Sequence, residues 1–265
     1  MALAWAFLPD KQGLREGLIL VGIARCIAMV LIWTGLVGLK LSFANSNYAN
    51  LWFFQAGGDS EYCAILVAVN SFLQIVLFAP LALLFIKVIS RAGPGVNVSY
   101  SVVATSVGVF LGIPLGAAIL TRFTLLKFAG RKNLDMFLKF AAPWSLIGLL
   151  FTILVLFASQ GHQVVHQIVS VVRVAAPLIV YFAIIFFLTL LITHKLGFGY
   201  KLAATQSFTA ASNNFELAIA VAVATFGANS DQALAATVGP LIEVPVLLGL
   251  VYVVKWYAQR RSWKD

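Results

Sequence analysis

The sequence predicts an all-α integral membrane protein, and three observations lead there. Of its 265 residues 62% are hydrophobic and only 10% are charged, where a soluble domain carries about 25% charged residues. The apolar residues gather into long uninterrupted runs rather than amphipathic stripes. The net charge of +9 is concentrated between those runs, as membrane topology requires. A soluble fold of this length has too little interior for so much apolar surface. Lipid accepts it, because a helix satisfies its own backbone groups.

Seven stretches are each close to the roughly 20 residues that span a bilayer. They run over 14–36, 62–86, 102–121, 141–158, 174–193, 206–227 and 233–254. Residues 1–8 are too short: eight helical residues reach about 12 Å, and the hydrocarbon core is roughly 30 Å thick. They are read as the remnant of a longer span, or as a surface anchor. With the C-terminal tail in the cytosol, one side holds Lys40, the group from Arg122 to Lys139, Lys195, Lys201 and the tail cations. The other side holds only Lys11, Arg15, Lys87, Arg91 and Arg173. This bias supports seven full spans with a cytosolic C-terminus. The basic residues form no stripe interleaved with aromatics, so the expected partner is the lipid bilayer and not nucleic acid.

Three charges fall near the middle of apolar runs: Arg25, Glu216 and Glu243. A charge at a helix centre costs about 2.5–3.5 kcal/mol on insertion scales. Such groups either pair to hold the bundle or face a polar cavity with a function. Glu243 lies between Pro240 and Pro245, which lack the N–H groups that would bond back to Ala236 and Leu241. That predicts a helix kinked or unwound around a carboxylate, as at transporter binding sites. Asn70 and Gln74, four apart with Ser71 between, share a helix face. They either hydrogen-bond across helices or line a pathway.

Cys26 follows Arg25 directly. A neighbouring cation favours the thiolate, and thiolates prefer soft partners. Cys63 has no adjacent cation and reads as apolar filler. His162 and His166 are at most half of a metal site. No metalloprotease, serine-hydrolase or phosphate-loop motif occurs, so no enzyme and no cofactor are expected.

The run Gly22-Ile-Ala-Arg25-Cys26-Ile-Ala-Met29-Val30 resembles the cysteine-bearing helix of the arsenite-efflux permeases of the bile acid/sodium symporter superfamily. Phe208 to Ala220, which contains Ser212-Asn213-Asn214-Phe215-Glu216, and Gly239 to Val246 resemble two further signatures of those permeases. Tyr62 to Gln74 and Leu111 to Phe123 are similar to them as well. The resemblance implies a ten-helix fold of two inverted repeats with broken crossover helices. It implies export of arsenite, in some members antimonite, driven by the membrane potential or by proton antiport, and conferring arsenical resistance. The family's functional cysteine falls on Cys26, as arsenite ligand, and its carboxylate on Glu243. Asn213, Asn214 and Glu216 then line the same region.

On this reading residues 1–265 form one transporter domain. Residues 1–86 are the remainder of the first repeat, 102–254 the second, and 255–265 a cytosolic basic tail. Family members begin about three helices earlier. Residues 37–55 depart from the family pattern and read as an insertion or a retained intron: Val37 has a codon starting GT, and CAG is one codon for Gln55. The plasma membrane is the expected location, with the vacuolar membrane second. The competing functions are a sodium-coupled organic-anion symporter on the same fold and an inactive truncated fragment.

Overall fold

A computed structural model describes residues 2–26, 30, 58–90, 99–261 and 263, and the segment 37–55 lies outside them. Among the described residues the regular secondary structure is helical, with short connections between the helices. The exception is one antiparallel bridge, between Arg25 and Asn213. Four stretches of the described residues are long and apolar enough to cross a bilayer: Glu61–Ile89, Tyr100–Ala141, Ile168–Lys195 and Asp231–Arg260. The protein is an integral, multi-pass membrane protein.

Helix α1 (Ala2–Phe7) stops at Pro9-Asp10. The Arg15 guanidinium closes that end by donating to the carbonyls of Leu8 (3.0 Å) and Pro9 (2.9 Å), and it stacks on the Trp5 ring. Helix α2 (Gln12–Ile23) follows. Helix α3 (Ser60–Leu83) is capped by Asp59, which accepts from the Tyr62 N–H, and it passes into a π-helical turn, Leu84–Ile89. The wide turn comes just after Pro80, which cannot donate to Val76. Helices α4 (Tyr100–Val107) and α5 (Ile113–Thr124) are joined through another π turn and followed by a third, up to Gly130 at φ 76°. Then come α6 (Gly130–His166), α7 (Ile168–Lys195), α8 (Tyr200–Ala211), α9 (Phe215–Phe226) and α10 (Asp231–Arg261).

Helix α10 is the hub, packed against α2, α7, α9 and α6, while α8 lies along α7 and α3. Helices α2 and α10 approach closely. A Cβ on Gly17 would overlap the Gln232 carbonyl oxygen and stand 2.8 Å from the Ala235 Cβ. Small residues let membrane helices touch in this way. Beside this contact, Glu16 is buried and accepts hydrogen bonds from the side-chain amides of Gln12 and Gln232, both at 2.9 Å. Gly17→Ala is expected to force the two helices apart at a cost of about 1–3 kcal/mol. Thermal unfolding in detergent checks this, with Gly22→Ala, where a Cβ meets nothing within 4 Å, as the substitution that leaves the midpoint in place.

Two expectations need correction. The stretch 206–227 is not one span but two helices, α8 and α9, broken at Ser212-Asn213-Asn214. Short polar side chains compete with the helix for backbone bonds, and Asn214 caps α9 by accepting from the Leu217 N–H at 3.1 Å. Conversely, the helix around Glu243 is not unwound: α10 is unbroken from Asp231 to Arg261 through both prolines. Each proline removes one donor, and the bonds on either side keep the ladder in register. The interruption expected at Glu243 is found in the chain that Glu243 contacts.

Candidate functional site at a crossing of two broken helices

Helix α2 ends at Ile23, and Ala24 turns to extended backbone, its N–H still bonded to Leu20 and Val21. Helix α8 ends at Ala211, and Ser212 is likewise extended. The segments 24–26 and 212–214 run antiparallel across each other. The Cys26 N–H donates to the Ser212 carbonyl at 3.3 Å and the Asn214 N–H to the Ala24 carbonyl at 3.0 Å. Each break thus satisfies the backbone groups that the other would leave orphaned in an apolar interior.

Successive side chains of an extended segment point to opposite sides, so the crossing has two faces. Arg25 and Asn213, paired across the bridge, face a cavity of about 520 Å³ enclosed by α1, α2, α3 and α7. Arg25 Nη1 donates to the Tyr181 hydroxyl at 3.0 Å and to the Ala210 carbonyl at 2.9 Å. The second contact places a cation at the C-terminal end of α8, where the helix dipole favours it. The Tyr181 hydroxyl donates on to Asn213 Oδ1 at 3.2 Å. Gln74, from α3, donates to the Arg25 carbonyl at 2.5 Å, and Asn70, one turn earlier, lines the same cavity. Two buried polar atoms here have no partner: Gln74 Oε1 and Asn213 Nδ2. Leaving such an atom unsatisfied costs about 1–3 kcal/mol.

The opposite face holds Cys26, Ser212 and Glu243. Cys26 is 2% exposed and Glu243 1%. The Cys26 sulfur accepts from the Val30 N–H at 3.3 Å. Glu243 Oε1 accepts from the Ser212 hydroxyl and from the Asn213 N–H at 3.1 Å. The Cys26 N–H bonds the Ser212 carbonyl, and the Ser212 hydroxyl bonds the carboxylate, so residue 212 links the segment that carries the thiol to Glu243. One turn before Glu243, Gly239 leaves room for the Phe215 ring, which a Cβ there would overlap. That contact seats the start of α9 directly on α10.

The model of the sodium bile acid symporter family matches residues 1–167 of the chain. The chain belongs to that family. Within the wider group, the chain is 47% identical to arsenical-resistance protein Acr3 of Corynebacterium glutamicum, over 96% of this chain and 65% of that protein. It is 32% identical to Acr3 of Alkaliphilus metalliredigens, over 89% of this chain and 60% of that protein. An uncharacterized transporter of Synechocystis is 37% identical over 90% of this chain and 56% of its own length. The chain therefore spans less than two thirds of the length of these relatives.

The sequence-derived site residues of this family member do not all meet on one face. Cys26 and Glu243 share the buried face; Arg25, Asn213 and Asn70 share the cavity. Asn214 serves as a helix cap. Glu216 is exposed on the first turn of α9 and does not line the cavity. Adjacency suggested that Arg25 would serve the Cys26 thiol. The extended backbone sends the two side chains apart, and the guanidinium engages Tyr181 and α8 instead. Two participants went unread in the sequence: Tyr181 and Ser212. Tyr181 did leave a signal, as the single hydroxyl in the apolar run from Pro177 to Leu188.

Proposed function

We propose that this chain exports arsenite, and antimonite with it, from the cytosol across the plasma membrane, driven by the membrane potential or by proton antiport. The observation that carries the reading is the buried trio Cys26, Ser212 and Glu243 at the helix crossing. A thiol is a soft ligand suited to trivalent arsenic. When sulfur bonds to arsenous acid, the thiol loses its proton and one hydroxyl leaves as water. Ser212 and Glu243 are placed to take that proton and return it to the departing hydroxyl. After that exchange is complete, the same carboxylate can take up or release a proton of the solvent, and so change its charge, as the site opens to the other side. The identities to the two Acr3 proteins support the substrate. The cation bias of the loops supports a cytosolic C-terminus.

The second reading is the sodium-coupled symport that the family's description names. Arg25 weighs against it, since a fixed guanidinium holds the half-helix carbonyl end where a transported cation would bind. Everted membrane vesicles separate the two. Arsenite is expected to accumulate in them equally with and without sodium. Accumulation that requires sodium, or uptake of organic anions with none of arsenite, would favour the symporter.

A further inference from the structure

We infer that the cavity face of the crossing is a docking station for a small uncharged polyhydroxy acid, built on Gln74 Oε1 and Asn213 Nδ2 and separate from the Cys26 thiol. The inference deepens the reading as a metalloid exporter and rests on it for the identity of the transported hydroxide.

The orientation of both amides is fixed by their other halves. Gln74 commits its Nε2 to the Arg25 carbonyl, so its Oε1 is left as a bare acceptor. The Tyr181 oxygen accepts a hydrogen bond from Arg25 and its hydroxyl donates one to Asn213 Oδ1, so Asn213 is left with a bare donor at Nδ2. Gln74 is 4% exposed and Asn213 1%, and both line the cavity. The remaining wall is largely apolar, formed by side chains such as Leu18, Leu77, Phe78 and Leu178.

A ligand that completes this pair must donate to Gln74 and accept from Asn213. A cation meets the Arg25 guanidinium with no carboxylate among the lining residues to offset it. An anion without a proton to give leaves Gln74 Oε1 unmatched. A hydroxyl both donates and accepts, so several hydroxyls on one small neutral centre satisfy both atoms. Arsenous acid has that form. It is recognised first by its hydroxyls on the cavity face. It reaches sulfur only when the crossing rearranges, because Cys26 is absent from the cavity lining and buried beyond it.

Boric acid tests the station directly: it is a neutral trihydroxide with negligible affinity for sulfur. Its binding to the purified chain in nanodiscs is measured by titration calorimetry. Saturable binding is expected in the unsubstituted protein and in Cys26→Ser alike. Gln74→Met and Asn213→Asp are each expected to weaken it at least tenfold. Asn213→Asp is nearly isosteric and keeps the Oδ1 contact with Tyr181, so it guards against loss through misfolding. No boric acid binding to the unsubstituted chain, or equal binding by both cavity variants, would overturn the station. If the station behaves as expected but vesicles show no arsenite transport, the exporter reading falls and the hydroxide site stands.

Discussion

Cys26→Ser is expected to bring arsenite accumulation in everted vesicles down to the level of vesicles without the chain, while the protein remains in the membrane in normal amount. The substitution replaces one soft atom with a hard one. A serine hydroxyl does not hold trivalent arsenic as sulfur does. The local fold has reason to survive. The Cys26 sulfur accepts the Val30 N–H, and a serine hydroxyl can accept the same bond. Cys63 gives the contrast. It is fully buried in the same apolar cluster as Cys26, but it lies in the first turn of α3 and not on either segment of the crossing. Cys63→Ser is expected to leave most of the transport intact. Complete loss there, with the protein still present, would mean that both thiols hold the metalloid.

Glu243→Gln is the second large effect: transport is expected to fall to background, again without loss of the protein. The amide keeps an oxygen for the Ser212 hydroxyl and the Asn213 N–H, both of which the carboxylate now accepts. Packing at the crossing is therefore retained. What the amide cannot do is take a proton from the thiol and give it back. Glu243→Asp keeps the proton chemistry but shortens the reach to Ser212 by one methylene. It is expected to transport slowly, with activity that depends on pH. Near-normal transport by Glu243→Gln would show that the carboxylate only ties α10 to the crossing.

Much of the fold was legible because lipid simplifies the problem. A run such as 174–193 has no way to meet the demands of its backbone in hydrocarbon except as a helix, and α7 covers it. The breaks were harder to read. Pro240 and Pro245 are the strongest helix-breaking signals in the chain, yet α10 runs through both. Ser212-Asn213-Asn214 is a weaker local signal, and it breaks the helix because a second break at 24–26 offers matching backbone partners. That pairing joins segments some 190 residues apart, and no local propensity reports it. The same holds for the site. Arg25 and Glu243 stood out as groups that lipid penalises, and Cys26 as the thiol next to Arg25. Their division between two faces follows from the extended conformation at residues 24–26, which a helical reading of 14–36 conceals. Gln74 was visible as a polar residue on a shared face with Asn70, but its unmatched oxygen is a fact of tertiary structure.

The most direct test is arsenite retained by arsenite-sensitive cells that express this chain, with the protein quantified in their membranes. Export by this chain predicts lower retention than in cells carrying an empty vector, and better growth in arsenite. Unchanged retention, with the protein present in the membrane, would contradict it. The span of the relatives that this chain leaves uncovered would then hold something that transport requires.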